Sequence, residues 1–100
     1  SIYITENGTS AVDEPTKDGK LQDVDRIVYL RNYLTQLQRA TAEGIPVLGY
    51  FLWSLLDNFE WSDGLEKRFG LHQVDFKTQR RTPRLSASFY REIIERSAVV

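Results

Sequence analysis

The first side chain that could carry out chemistry is the carboxylate of Glu6. It closes a short β-branched and aromatic stretch, and the turn residues Asn7 and Gly8 follow it. At the carboxyl end of a strand in an α/β barrel, a carboxylate would line an active site. A Glu before Asn-Gly also suits an ordinary surface turn. Glu6 alone therefore leaves both interpretations open.

A second group of side chains follows another apolar stretch. Trp53 ends the stretch, and the adjacent pair Glu60 and Trp61 comes shortly after it. Indole faces stack on the apolar face of a pyranose, and carboxylates accept hydrogen bonds from its hydroxyls. These residues therefore indicate a sugar site, whereas we interpret Phe51 and Phe59 as core aromatics.

The first half of the chain predicts the elements that position Glu6. Residues 1–5 predict a strand. On that strand, strict alternation places Ile2, Ile4 and Glu6 on one face. After a polar loop, residues 24–43 predict an amphipathic helix, because apolar side chains recur there at three- and four-residue spacing.

The second half predicts a strand that this chain cannot cover alone. Residues 47–53 are continuously apolar, as in a strand buried on both faces of a parallel α/β sheet. Residues 70–76 predict an extra strand, and Thr82 and Pro83 are expected to begin a last helix. The order predicts two βα units, and two parallel strands cannot bury such a strand. We therefore expect a fragment completed by another chain or by a longer polypeptide.

Composition restricts the class of partner. The 100 residues carry 13 Lys and Arg against 14 Asp and Glu, so no excess charge favours nucleic acid or an anionic membrane. The absence of cysteine excludes disulfides and thiolate metal sites, and we interpret the single histidine, His72, as structural or surface. No apolar run approaches the roughly 20 residues that span a bilayer. We expect no metal, no other cofactor and a cytoplasmic location.

Three ordered stretches resemble the family 1 glycoside hydrolases, the β-glucosidases and their relatives. Residues 3–8 contain Thr-Glu-Asn-Gly, residues 49–61 read Gly-Tyr-Phe-Leu-Trp-Ser-Leu-Leu-Asp-Asn-Phe-Glu-Trp, and residues 68–75 contain Arg-Phe-Gly-Leu and Val-Asp. The resemblance covers nearly the whole chain. It implies an α/β fold in which residues 1–100 are the C-terminal part, strand seven to helix eight, of a single (β/α)8 TIM-barrel domain.

The resemblance also implies roles for individual residues in the retaining hydrolysis of β-D-glucosides. Glu6 would be the catalytic nucleophile. Trp53 would form the floor of the glycone subsite, and Phe69 would form one of its walls. Glu60 would bind the hydroxyls at sugar positions 4 and 6, and Trp61 would donate its indole N–H to the hydroxyl at position 3.

Half of the family's machinery is missing from this sequence. The retaining mechanism needs a second carboxylate as acid/base, which relatives carry in an Asn-Glu-Pro motif that does not occur here. The resemblance therefore implies an enzyme active only with the N-terminal remainder of the barrel, expected as a companion chain. The alternatives are an inactive sugar-binding relative, a 6-phospho-β-glycosidase disfavoured by the charge of Glu60, and an independent α/β module disfavoured by the doubly apolar strand. The resemblance also implies a cis peptide bond between Trp53 and Ser54.

Overall fold

A parallel βαβ unit occupies the first half of the chain, and the computed structural model describes all of residues 1–100. Strand β1 (Ile2–Asn7) pairs in parallel with strand β2 (Val47–Leu52), and helix α1 (Val24–Ala42) connects them. Gly44 adopts a φ of +92° at the turn between α1 and β2, a conformation that favours glycine. The predicted helix and both predicted strands are confirmed.

A small antiparallel sheet and a second helix complete the chain. Strand β3 (His72–Val74) pairs with strand β4 (Arg81–Pro83), and helix α2 (Leu85–Arg96) follows almost directly. The extra strand predicted over residues 70–76 is therefore present in a shorter form. Neither helix is both long and apolar enough to cross a membrane.

The predicted beginning of the last helix is wrong. Thr82 and Pro83 lie in β4, where Pro83 is paired with His72, and Arg84 precedes the helix as its N-cap. A residue before proline is biased towards extended backbone, and proline is tolerated at a strand edge. These local preferences favour the short strand over an earlier start of the helix.

The core lies between the two helices and the sheet. Leu30 and Leu34 of α1 form a buried cluster with Leu71, and Tyr50 and Leu52 of β2 pack against it. Four side chains of α2 do the same, namely Ala87, Phe89, Tyr90 and Ile93. Only 12 of the 100 residues are buried, and strand side chains such as Tyr3 and Phe51 are exposed, so part of the β1–β2 sheet is left open.

The prediction that Phe51 and Phe59 are core aromatics is wrong within this chain. Their side chains are 58% and 70% exposed. Phe51 alternates with Tyr50 along β2, so it lies on the face of the strand turned away from the helices. The apolar run therefore does belong to a two-faced strand, but this chain covers only one of its faces.

Candidate active site

Glu6 and Trp53 lie at the carboxyl ends of two adjacent parallel strands. Asn7 pairs with Leu52, and the Trp53 N–H donates to the Asn7 carbonyl oxygen at 2.8 Å. A Cβ added at Gly8 would lie only 1.8 Å from the Trp53 carbonyl oxygen. The close approach of the two strand ends therefore requires glycine at that position.

An irregularity in β1 sets the position of Glu6. The register shifts between Ile4 and Asn7, so that Thr5 and Glu6 together lie opposite the single residue Phe51. Bulges of this kind re-aim side chains and occur often beside active sites. The ladder therefore departs at Glu6 from the regular pairing that the predicted strict alternation assumes. The side chain of Glu6 is exposed at the end of the strand.

Trp53 and Glu60 are brought into direct contact. The indole Nε1 of Trp53 donates to Oε2 of Glu60 at 3.3 Å, and both residues are half-buried. This distance is at the long end for an N–H···O bond, so the contact orients the carboxylate without enclosing it. Two of the predicted sugar-binding residues thus share one small region.

Trp61 projects from a tight turn directly after Glu60. It begins the short 3₁₀ helix Trp61–Asp63 with a φ of +46°, and its side chain is 84% exposed. The turn closes because the Glu60 N–H donates to the Gly64 carbonyl oxygen at 2.7 Å. Trp61 is therefore adjacent to Glu60 along the chain but does not pack against the core.

Phe69 is held beside the end of β2 through its backbone. The Ser54 N–H donates to the Phe69 carbonyl oxygen at 3.0 Å, and the Leu71 N–H donates to the Ser54 carbonyl oxygen at 2.9 Å. The Trp53–Ser54 peptide bond is cis, as the resemblance implies. The segment around Phe69 therefore runs beside the segment that carries Trp53.

A buried group of charges, the Arg84 cluster, joins Asp13, Asp57, Arg68 and Arg84. All five N–H donors of Arg84 are used, to both carboxylates of Asp13 and Asp57 and to the Gly70 carbonyl oxygen, at 2.6–2.9 Å. Arg68 donates to Asp57 at 2.8 Å. Burial pushes the pKa of Asp57 up, but the hydrogen bonds from Arg84 and Arg68 outweigh it and hold that pKa below 3.8.

The Arg84 cluster supports the loop that carries the predicted sugar-binding residues. Asp57 lies between Trp53 and Glu60 in sequence, and its carboxylate accepts the backbone N–H of Gly70, next to Phe69, at 3.0 Å. Sequence reasoning missed Asp57 and Arg84 as supporting residues. The only signal was a single Asp within an apolar and aromatic stretch.

A second buried pair, Asp23 and Arg26, connects the helices to the same region. Asp23 accepts the backbone N–H of Ser86 at 3.0 Å, at the first turn of α2. Arg26 donates to the Thr9 carbonyl oxygen at 3.3 Å and to the Arg68 carbonyl oxygen at 2.6 Å. The segments after Glu6 and before Phe69 are therefore tied to one guanidinium. No group of three or more His, Cys, Asp or Glu side chains is placed to hold a metal ion.

Comparison with known proteins identifies relatives of the chain. The family model described as glycosyl hydrolase family 1 matches residues 1–99. The chain is 46% identical over 98 residues to the 1,4-beta-D-glucan glucohydrolase of Thermotoga neapolitana, covering 98% of the chain and 22% of that relative. It is 51% identical over 94 residues to beta-glucosidase 47 of Arabidopsis thaliana, covering 94% of the chain and 17% of that relative.

Solved structures agree with the sequence relatives. The family 1 β-glucosidase from Thermotoga maritima superimposes with a TM-score of 0.93 at 44% identity, covering 98% of this chain and 22% of that one. The same β-glucosidase has been solved with galacto-hydroximolactam and with castanospermine. The chain thus spans about a fifth of the length of these relatives, since it covers 22% of the Thermotoga neapolitana protein and 17% of the Arabidopsis thaliana protein.

The fold class predicted from the sequence is confirmed by these neighbours. They are family 1 TIM barrels, and the present chain is a partial α/β piece with two separate two-stranded sheets and no closed barrel. It corresponds to the C-terminal βα units of such a barrel. Because the family model matches residues 1–99, the chain belongs to glycosyl hydrolase family 1.

Proposed function

We propose that the protein containing this chain hydrolyses terminal β-D-glucosidic bonds with retention, through a covalent glycosyl-enzyme intermediate. Glu6 is the nucleophile in this proposal, and Trp53, Glu60, Trp61 and Phe69 bind the glycone. Family membership and the β-glucosidases among the relatives support β-glucoside hydrolysis in general. The ligands of the solved neighbours support a small carbohydrate as the substrate.

One observation carries the assignment of Glu6. Its strand end is bonded through Asn7 to the backbone of Trp53, whose indole contacts Glu60. A carboxylate and a sugar-binding pair therefore occur at the same edge of one parallel sheet. In (β/α)8 barrels that edge holds the active site.

The proposed reaction divides between Glu6 and a second carboxylic acid. An oxygen of Glu6 forms a bond to the anomeric carbon as the bond to the leaving oxygen breaks, and the second acid gives that oxygen its proton. Water then displaces Glu6 while the second residue, now a carboxylate, accepts the proton of the water. Retaining enzymes hold the two carboxyl groups about 5–5.5 Å apart. The second residue lies outside residues 1–100 in this proposal.

In this proposal, Trp53 and the residues around it select the sugar. The indole N–H of Trp53 donates to one oxygen of Glu60, which leaves the second oxygen to accept sugar hydroxyls. Trp61, the next residue along the chain, has an exposed ring that offers an indole N–H. Acceptor and donor together distinguish hydroxyls by position, and the aromatic faces bind the apolar side of the ring.

The experiment replaces Glu6 by Ala in the protein completed by the rest of the barrel. Hydrolysis of an aryl β-glucoside should fall by about 10³-fold or more, because the covalent step is lost. Added azide should restore turnover with formation of α-glucosyl azide, since a small anion can occupy the space of the carboxylate. Glu14→Ala, which removes an exposed carboxylate from the following loop, is the matched control and should keep full activity.

The outcomes separate hydrolysis from sugar binding alone. Wild-type rates in Glu6→Ala without added nucleophile would refute the assignment of the nucleophile. Binding of glucoside without any turnover in the unmodified protein would instead favour the inactive sugar-binding relative. Mass analysis of the active particle shows whether the rest of the barrel is a companion chain, as we propose, or part of the same polypeptide.

A further inference from the structure

Two tyrosine hydroxyls hold the side-chain amide of the residue after Glu6. Oδ1 of Asn7 accepts a hydrogen bond from the Tyr50 hydroxyl at 2.7 Å. Nδ2 of Asn7 donates to the hydroxyl of Tyr29 at 3.1 Å. Tyr50 belongs to β2 and Tyr29 to α1, so the amide links the strand of Glu6 to a neighbouring strand and to the covering helix.

The main chain fixes Asn7 as firmly as its side chain does. Its carbonyl oxygen accepts the Trp53 N–H at 2.8 Å. Gly8 lies against the Trp53 carbonyl oxygen with no room for a Cβ. Glu6, by contrast, lies in the irregular part of the ladder and is exposed. The chain is therefore anchored immediately after Glu6.

A half-buried amide at this position lowers stability unless its polar atoms make hydrogen bonds. Asn7, Tyr29 and Tyr50 are all half-buried, and an apolar side chain with two phenylalanines would fill the same space without polar groups to satisfy. Burial also raises the pKa of the Tyr50 hydroxyl, so this group stays a hydrogen-bond donor even in moderately alkaline solution. Two directional bonds on one planar amide limit its rotation, which packing alone does less well.

We propose that Asn7, Tyr50 and Tyr29 form a positioning unit that aligns the Glu6 carboxylate for attack on the anomeric carbon. The inference rests on the proposed function, because it assigns these residues to the nucleophile of that reaction. None of the three is assigned contact with substrate. They act through the backbone of Glu6 and are positioning residues.

Tyr50→Phe in the completed barrel removes one hydroxyl and leaves the ring. We expect kcat for an aryl β-glucoside to fall about tenfold with KM changed less than about twofold, because alignment matters in the transition state more than in substrate binding. Tyr90→Phe is the matched control. The ring of Tyr90 lies 6.4 Å from that of Tyr50, and Tyr90 is also half-buried. The kcat of the Tyr90→Phe variant should stay within about twofold of the parent value.

A double-mutant cycle tests whether the hydroxyl acts through Asn7. Asn7→Ala should lower kcat at least as much as Tyr50→Phe, and the combination should cost little more than Asn7→Ala alone, since the hydroxyl then has no amide to hold. Fully additive effects would overturn the inference. If Asn7→Ala does not fold, the comparison of Tyr50→Phe with Tyr90→Phe still decides.

The remaining outcomes distinguish this inference from the function on which it rests. A normal kcat in Tyr50→Phe, together with an inactive and azide-rescued Glu6→Ala, overturns the positioning unit and leaves the nucleophile in place. An equal fall of kcat in Tyr50→Phe and Tyr90→Phe shows a general packing effect and also overturns it. Full activity of Glu6→Ala overturns both proposals.

Discussion

Arg84→Met in the completed barrel tests how much the Arg84 cluster stabilises the fold. Methionine keeps an unbranched apolar side chain about as long as the aliphatic part of arginine but removes the guanidinium. The change takes five hydrogen bonds from two carboxylates and one carbonyl oxygen. We expect a clear loss of stability, because it leaves buried charge without its partner.

The expected loss of stability depends on the hydrogen bonds that the carboxylates of Asp13 and Asp57 retain in the variant. Five charge-assisted hydrogen bonds at about 1.5 kcal/mol each would suggest at least about 7 kcal/mol, but that sum omits the cost of burying Arg84 in the native protein. Breaking a buried ion pair costs about 3–5 kcal/mol. Asp57 retains Arg68 and two backbone N–H donors, and the side chain of Asp13 is 15% exposed to water. We therefore expect a value near the lower limit, about 3 kcal/mol.

Thermal unfolding at a fixed scan rate measures the effect. The relatives are about 450 residues long, since 98 residues are 22% of one of them, so a loss of about 3 kcal/mol should lower the midpoint by roughly 3 °C. Arg91→Met is the matched control, because Arg91 pairs with Glu95 on the surface at 80% and 61% side-chain exposure. It should change the midpoint by less than about 1 °C. Equal midpoints for the two variants would refute the assigned role of the cluster.

The dependence on pH has a definite sign. The folded pKa of Asp57 is lowered below its ordinary value of 3.8, so its contribution is fully present above that pH and is lost as the pH falls through the folded value. Arg84→Met removes a main cause of the lowering. The difference between parent and variant in the free energy of unfolding should therefore be constant above about pH 4, which is close to the pKa of an unfolded aspartate. Below that pH the difference should become smaller. A difference that grows on acidification would contradict this reasoning.

Two further predictions concern sugar selection and autonomy. Glu60→Gln should lower kcat/KM for an unmodified β-glucoside about tenfold or more. It should also lessen the discrimination against the 6-phosphorylated sugar, because the charge that repels the phosphate is gone. An unchanged ratio of kcat/KM for the two substrates would show that Glu60 does not select the sugar. Residues 1–100 expressed alone should lack a cooperative thermal transition, because one face of β2 and the sheet edges are uncovered. A cooperative transition of the isolated monomer would contradict this expectation.

Local patterns in the sequence were sufficient for the main elements. The spacing of Leu30 and Leu34 predicts α1, and the apolar run predicts β2, because both signals depend on residues close together in the chain. The separation of Trp53 and Glu60 by a single loop similarly suggested one shared site, and their side chains are in contact. The assignment of these residues to substrate stays a prediction.

Features that arise from pairing between distant segments were not predictable. The shift around Glu6 exists only in the ladder between β1 and β2, so alternation along one strand could not reveal it. Arg84 is 27 residues from Asp57, and no spacing rule connects them. The exposure of Phe51 could not be predicted either, because its apolar character says nothing about which part of the structure covers it.

The Arg84 cluster has a consequence for the order in which the chain folds. Arg84 meets Asp13 across 71 residues, and Ser86 meets Asp23 across 63. Closing such long loops loses entropy before any contact compensates for it, so these bonds form after the local turns of α1. During synthesis β2 leaves the ribosome well before Arg84 and α2, so its apolar face is open to neighbouring chains in the interval. The bonds of Arg84 and Ser86 to these carboxylates therefore accompany the packing of α2 against one face of β2, and the other face stays open until the rest of the barrel covers it.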